Sequence, residues 1–161
     1  IPLRLVGSEM CIRDSSSSSA SIPFTLKAAT EKCGINKSIS SFTIPLGATI
    51  NMDGTAIMQG CATFFLASLY GIDLGMSEIL TIVVTATIAS IGTAGIPSAG
   101  IIMLTVIFTQ IGIPLEGITL LLGVDRLLDM MRTSINVSGD LCISCIVASS
   151  ENKIDETIYK S

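Results

Sequence analysis

Two long apolar stretches, each interrupted near its middle, constrain most strongly what this chain can fold into. Residues 39–72 are almost uncharged but contain Gly47 and the run N-M-D-G at residues 51–54. The two pieces, of about 12 and 17 residues, are each short for a membrane span of about 20 residues. One helix that unwinds at this run satisfies both facts, because non-helical backbone is tolerated at membrane depth where it is buried or lines a cavity.

The second interrupted stretch predicts a re-entrant hairpin. Residues 79–91 and 101–113 are apolar arms of about 13 residues, roughly 20 Å of helix, against a hydrocarbon core of about 30 Å. Between them, residues 92–100 read G-T-A-G-I-P-S-A-G, a tip without charge. A soluble helical hairpin is the alternative, but an exposed loop is seldom so free of charge. A re-entrant tip would instead be buried in protein.

Composition favours lipid around much of the surface. Only 14% of the 161 residues are charged and 49% are hydrophobic, whereas soluble domains carry about a quarter charged residues. The net charge of −4, without a basic cluster, argues against nucleic acid as a partner. Residues 1–30 lack the continuous apolar core of a secretory signal. Cys142 and Cys145 form C-x-x-C, but without any His they are interpreted as two small residues on one face of a buried helix.

A polar stripe on one face of a predicted helix is the third feature. Residues 125–140 place six polar side chains at spacings of 4, 3, 1, 3 and 4, within an arc of roughly 100°. Such a stripe can be the wet side of an ordinary amphipathic helix. The opposite face carries Leu127, Leu128, Met131, Ile135 and Val137. The polar stripe consists of Asp125, Asp129, Arg132, Thr133, Asn136 and Asp140.

Ionisable groups inside a membrane are expensive and therefore functional by default. Arg132 can compensate one or two of the carboxylates, and coupling cations could compensate the rest. The planar fork of Arg132 suits a carboxylate. With Asp129 on an ammonium group, the pair would bind a zwitterion that has an additional carboxylate. A purely internal pair of Arg132 and Asp129 is the structural alternative.

The two ends of the chain differ from its middle. Residues 1–14 are similar to the conceptual translation of a sequencing adaptor, so we expect a non-native artefact and a protein that extends further upstream. The serine run at residues 15–19 is typical of a flexible linker, and Pro23 predicts a helix start near Ile22. Residues 15–150 are predicted to be one domain that is partial in this sequence, and residues 151–161 a polar tail. Lysines before the broken helix and after the last helix place both ends in the cytoplasm.

Three motifs resemble signatures of the sodium:dicarboxylate symporter family, which contains the glutamate transporters. They are G-A-T-I-N-M-D-G-T at residues 47–55, S-I-G-T-A-G-I-P at residues 90–97, and D-M-M-R-T at residues 129–133 followed by Asn136 and Gly139-Asp140. The resemblance covers residues 16–150. It implies an all-α membrane protein with a broken transmembrane helix, re-entrant helical hairpins and an amphipathic final transmembrane helix.

The resemblance also implies roles for particular residues. Substrate contacts would come from Ser18 (backbone), Thr55, Gly100, Asp129, Arg132, Thr133 and Asn136. One sodium ion would lie among Asp140 and the carbonyls of Gly47, Asn51 and Asn136. Another would be held under the hairpin tip by carbonyls of Thr49, Ser90, Ile91 and Thr93. Asp53 and Asn51 would serve a third, and such oxygen ligands suit a hard cation.

Several positions depart from the family pattern. Ser16 stands where many prokaryotic members have arginine, and Met130 where animal members have a second arginine; Arg126 is an open substitute. Gln59 replaces the glutamate of potassium-coupled animal members, which argues against potassium counter-transport. Arg132 argues against the neutral amino-acid branch of the family, and Asp129 against its plain dicarboxylate branch.

The function implied by the resemblance is sodium-coupled symport of glutamate or aspartate by elevator-type alternating access. The implied protein is no enzyme, is a homotrimer when complete, and crosses the plasma (cell inner) membrane several times with its C-terminus in the cytoplasm. A C4-dicarboxylate or neutral amino-acid symporter is the alternative within the family. An intramembrane aspartyl protease is disfavoured because no G-x-G-D motif occurs. A fragment that is inactive on its own remains open, because the scaffold and the third-sodium ligands are absent.

Overall fold

The computed structural model describes residues 17–91 and 98–160, and every regular element in these ranges is helical. The all-α prediction is therefore confirmed for this part of the chain. Within the same ranges, no helix combines the length and the hydropathy needed for a membrane crossing. The elements are α1 (Ser18–Glu31), α2 (Lys37–Ile50), α3 (Asp53–Leu69), α4 (Met76–Ile91), α5 (Ala99–Ile111), a 3₁₀ turn (Leu115–Gly117), α6 (Ile118–Leu122), α7 (Asp125–Ser150) and α8 (Glu156–Lys160).

The predicted broken helix is confirmed. Its two parts are α2 with 14 residues and α3 with 17 residues, and only Asn51 and Met52 separate them. Both residues leave the helical region, with ψ of 89° at Asn51 and 45° at Met52. The Met52 carbonyl already accepts hydrogen bonds from the amides of Thr55 and Ala56, at 3.0 Å each. The interruption is therefore short, and it brings the side chain of Asn51 out of the helical register.

Helices α4 and α5 form the predicted hairpin arms. Helix α4 has 16 residues, because it begins at Met76 and not at residue 79. Helix α5 has the predicted 13 residues but begins and ends two positions earlier, at Ala99 and Ile111. Their inner faces pack on α3 through fully buried side chains, among them Leu66, Ile82, Leu104 and Phe108. The tip residues 92–97 lie outside the described residues. An apolar core therefore holds the two arms against α3. The start of α5 lies beside α7.

The helix start predicted near Ile22 is wrong, and the described serines of the run, residues 17–19, cap and begin a helix. Helix α1 begins at Ser18, because the Ser17 hydroxyl accepts a hydrogen bond from the Ala20 amide at 3.2 Å and caps the helix. Pro23 therefore lies inside α1 rather than in its first turn. Further hydroxyls bond to carbonyls one turn earlier, such as Ser21 to Ser17 at 2.8 Å. Serine at a helix start is a cap as well as a linker residue.

The last long helix, α7, has 26 residues and buries all six members of the polar stripe. Helix α6 ends at Leu122, and two residues separate it from the start of α7. Val137, on the apolar face opposite the stripe, is also buried, since α7 packs against α1, α2 and α3 and so buries a wider arc. Cys142 is exposed and Cys145 half-buried, so the buried C-x-x-C face is wrong.

The predicted polar tail is attached to the connector between α1 and α2. Ile154 pairs with Ile35 in an isolated antiparallel bridge, and the Asp155 amide donates to the Gly34 carbonyl at 2.8 Å. The Thr157 hydroxyl donates to the Asp155 carboxylate at 2.5 Å and lowers the pKa of this exposed group. The end of α7 and the end of α1 are therefore tied together.

Replacing Gly34 with alanine should destabilise the protein more than the same change at Gly71. Both glycines have positive φ, 67° and 66°, so both variants carry backbone strain of about 1 kcal/mol. A Cβ at Gly34 would also lie 2.6 Å from the Asp155 carbonyl oxygen, whereas nothing lies within 4 Å of one at Gly71. Thermal melting of the purified full-length protein measures the difference. Equal melting temperatures for the two variants would contradict the attached tail.

Candidate functional site: a buried polar cluster on α7

The polar stripe faces two structural interruptions, the break between α2 and α3 and the start of α5. Its side chains are almost fully buried, with Asp129 at 1% and Arg132 at 5% exposure. Burying an unpaired charge is costly, so each charged group needs a partner.

At the N-terminal end, two aspartates meet the hairpin. Asp129 forms an ion pair with Arg132, one turn further along α7. Its second oxygen, Oδ2, accepts a hydrogen bond from the Ser98 amide at 3.1 Å. The Ser98 hydroxyl donates to Asp125 Oδ2 at 2.5 Å. A single residue before α5 therefore contacts both carboxylates, which attaches the second hairpin arm to α7.

Arg132 uses only part of its hydrogen-bonding capacity. Its Nη2 contacts Asp129, while Nη1 is buried and has no hydrogen-bond partner among the described residues. The guanidinium lies directly against Gly100 of α5, where any Cβ would collide with Nη1. Gln59 of α3 is bound to the same backbone, with Nε2 at 3.3 Å from the Gly100 carbonyl. The glycine thus allows a buried guanidinium to approach the hairpin backbone.

In the middle of the stripe, Asn136 links α7 to the start of α3. Its Oδ1 accepts a hydrogen bond from the Gly54 amide at 2.8 Å. Its Nδ2 lies 3.4 Å from Thr55 Oγ1 and 3.3 Å from the sulfur of Met52. The amide side chain therefore satisfies a backbone donor at the helix start, which would otherwise be an unpaired buried group.

At the C-terminal end, residues of α2, the helix break and α7 meet at Asp140. The side-chain nitrogen of Asn51, Nδ2, donates to Asp140 Oδ1 at 2.9 Å and lies 3.5 Å from the Asn136 carbonyl oxygen. Gly47 faces the same carboxylate so closely that a Cβ there would collide with it. Gly47, Asn51, Asn136 and Asp140, predicted together as a sodium site, are thus neighbours in the structure. Asp53 is exposed, with its carboxylate beside Gly139.

Other predicted residues are less closely associated. Ser90 is buried, but its hydroxyl bonds to the Thr87 carbonyl at 2.8 Å, and Thr49 and Ile91 are exposed. Thr93, the fourth member of that set, lies outside the described residues. Thr133 is buried beside Arg132 on the stripe. Ser18 is buried at the start of α1, and α1 as a whole packs on α7.

Two residues of this cluster, Ser98 and Met52, were not predicted, and Gln59 was considered only for potassium coupling. Ser98 bonds to both aspartates, Gln59 bonds to the hairpin backbone, and Met52 contacts Asn136 through its sulfur. The sequence around Ser98 gave no reason to prefer it to its neighbours in the tip, and Met52 is an apolar residue without a functional signal of its own.

A separate cavity of about 390 Å³ lies between α3 and α7. Its lining is mainly apolar and includes Ile57, Phe65, Leu128 and Met131. It borders the polar cluster only at Gly54 and Arg132. The charged side chains of the stripe therefore lie mainly outside this cavity, where α7 contacts α2, α3 and the start of α5.

A short unwound segment, a helical hairpin and a buried ionisable stripe define the class of protein. Secondary transporters bind ions and substrates at discontinuous helices whose freed backbone lines the site. Residues 14–150 match the Sodium:dicarboxylate symporter family, and the chain belongs to this family. It is therefore part of an integral membrane protein.

Curated relatives agree with this membership. Over 125 residues, 78% of this chain, the sequence is 50% identical to Excitatory amino acid transporter 3 of Mus musculus and 49% identical to that of Homo sapiens. It is 49% identical over the same length to Excitatory amino acid transporter 1 of Rattus norvegicus. The match spans 24%, 24% and 23% of these three relatives, respectively, so the chain covers about a quarter of their length.

Replacing Gly100 with alanine should destabilise the protein, because the new Cβ would collide with the buried guanidinium of Arg132. We expect a loss of about 1–3 kcal/mol, the usual range for overpacking. Gly60→Ala is the matched control: nothing lies within 4 Å of its Cβ position in α3, and alanine favours a helix. Thermal melting of both variants measures the difference in stability. A Gly100→Ala variant as stable as Gly60→Ala would contradict the close contact between Gly100 and the Arg132 guanidinium.

Proposed function

We propose that this chain is the carboxy-terminal part of the transport domain of a sodium-coupled symporter for acidic amino acids, glutamate or aspartate. The observation that carries the proposal is the buried pair of Asp129 and Arg132, in which Arg132 Nη1 has no partner among the described residues. A buried, unpaired guanidinium nitrogen is costly unless a ligand takes it up. A carboxylate is the ligand that this donor geometry fits best.

The substrate would bind between α7 and the hairpin. Arg132 would bind the side-chain carboxylate of the substrate through Nη1, and Asp129 would accept a hydrogen bond from its ammonium group. Each carboxylate oxygen has two lone pairs, so Asp129 can hold Arg132, Ser98 and a substrate ammonium together. Remaining contacts would come from Ser18 (backbone), Thr55, Gly100, Thr133 and Asn136.

Sodium would occupy the other end of the stripe. The nearness of Asp140, Asn51, Gly47 and the Asn136 carbonyl supports this site, because alkali cations prefer several oxygen ligands around one negative charge. A second ion would use carbonyls of Thr49, Ser90, Ile91 and Thr93, and a third would use Asp53 with Asn51. We propose Na⁺ as the coupling ion in each case, in keeping with the family.

Transport would follow an elevator-type alternating-access cycle. The hairpin of α4 and α5 would gate the site, and the domain would move across the bilayer against a scaffold supplied by the remainder of the protein. The complete protein would be a homotrimer in the plasma membrane or the bacterial inner membrane. The C-terminus would lie in the cytoplasm, as Lys153 and Lys160 favour.

Sodium-dependent uptake tests the proposed function directly. The full-length protein is reconstituted in vesicles, and uptake of labelled aspartate, glutamate, succinate and serine is measured with and without an inward sodium gradient. We expect aspartate or glutamate to accumulate only with sodium. Uptake that ignores sodium would exclude symport, and preference for succinate or serine would move the protein to another branch of the family.

Arg132→Cys should abolish transport of acidic substrates. The variant loses the guanidinium that would bind the second carboxylate, and it leaves Asp129 free to bind an ammonium group. Transport of neutral amino acids should therefore persist or appear. The measurement is uptake of labelled aspartate and serine by the variant, with Lys153→Cys, an exposed cation after the end of α7, as the control. Undiminished aspartate uptake by Arg132→Cys would remove Arg132 from the site.

A further inference from the structure

Asp125 is the stripe residue to which neither the sequence motifs nor the proposed substrate contacts assign a role. Its side chain is 7% exposed, and Oδ2 accepts the hydrogen bond from the Ser98 hydroxyl. The other oxygen, Oδ1, is buried and has no hydrogen-bond partner among the described residues. A buried carboxylate oxygen without a donor is as costly as the unpaired Arg132 nitrogen, and it requires a ligand of the opposite character.

The buried cluster also contains more negative than positive charge at this end. Asp125 and Asp129 lie one helical turn apart on the same face, where like charges repel. Arg132 pairs with Asp129. The buried ionisable groups at this end are therefore two carboxylates and one guanidinium, so the ammonium group of a ligand would be attracted to the carboxylates.

We propose that Asp125 is a second carboxylate of the ammonium subsite, and this inference rests on the proposed acidic amino-acid substrate. A primary ammonium group carries three N–H donors. One can donate to Asp129 and another to Asp125 Oδ1, while Arg132 Nη1 binds the carboxylate at the other end of the substrate. The free acceptor and the free donor of the cluster would then be used by one zwitterionic molecule.

Ser98 is the positioning residue for this subsite. It has a left-handed backbone conformation, with φ of 61°, and its side chain makes no capping bond to α5. Such a conformation is uncommon for a residue other than glycine. The hydroxyl instead donates to Asp125 while the amide donates to Asp129. Ser98 thus fixes both carboxylates relative to the hairpin arm, and Asp125 Oδ1 is left without a donor from the part of the chain that the structure describes.

A purely structural role for the Asp125 carboxylate, stabilisation of α7, would give a different experimental result. Asp125 is the first residue of α7, and a carboxylate there is stabilised by the partial positive charge of a helix N-terminus. That role would support the helix regardless of the ligand. Removing the charge of Asp125 would then weaken all ligands equally, whereas an ammonium contact affects only ligands that carry an ammonium group.

The test compares aspartate with succinate, which has the same two carboxylates and lacks the ammonium group. Competition against sodium-dependent uptake of labelled aspartate by the full-length protein gives the affinity for each ligand, and stabilisation of the purified protein against heating gives a second measure. In Asp125→Asn, the amide oxygen can still accept the Ser98 hydroxyl. We expect aspartate to bind about tenfold more weakly, as for the loss of one charge-assisted hydrogen bond, while succinate binds no more weakly than before.

Three further variants complete the experiment. Asp129→Asn should show the same selective loss, and Asp73→Asn, in the exposed connector after α3, should change neither affinity. Ser98→Ala keeps both carboxylates but frees Asp125, so it should also weaken aspartate selectively. If Asp125→Asn does not fold, the Ser98→Ala variant takes its place in the comparison of aspartate with succinate.

Equal losses for both ligands, or no loss for aspartate, in the folded variants would overturn the inference while leaving the proposed function intact. A wild-type protein without sodium-dependent aspartate uptake would instead contradict the proposed function itself.

Discussion

The burial of three carboxylates and one guanidinium along a single helix face is the constraint on which the rest of the structure depends. Asp125, Asp129 and Asp140 cannot remain in an apolar interior without donors. Their described partners are Ser98, Arg132 and Asn51. Two of these three partners lie where helical backbone is interrupted: Asn51 follows the end of α2, and Ser98 precedes the start of α5. The helix break and the hairpin start are therefore where donors for the stripe become available.

Much of the fold could be predicted from the sequence because its strongest signals are local. The run at residues 51–54 marks a break that the structure places at Asn51 and Met52. Helical spacing alone gathers the six stripe residues on one face, and all six are buried. The start of α1 was missed because serine is compatible with both a linker and a helix cap, and only the hydrogen bond from Ala20 to Ser17 distinguishes them. The burial of Val137 on the opposite face could not be predicted, because helical spacing does not show how many neighbours surround the helix.

The candidate site was harder to predict, because its contacts join residues far apart in the chain. The nearness of Asn51 to Asp140 and of Gly54 to Asn136 could be expected only through the family resemblance. Ser98 could not be expected at all, since its role depends on a left-handed backbone that lets one residue reach two carboxylates. Gly100 and Gly47 were proposed as ligand contacts, and the structure adds a steric reason for glycine at both positions. A side chain there would displace Arg132 or Asp140.

Asn136 has a further consequence, because it belongs to both ends of the polar cluster. Its side chain holds the start of α3 beside Thr55, while its carbonyl lies near Asn51 and Asp140. An ion that orders the Asp140 end would therefore also order the amide that faces the substrate end. By thermodynamic linkage, a substrate that orders Asn136 must strengthen ion binding by the same factor. In the proposed transporter, one residue shared by the two proposed subsites would be enough to couple their occupancies.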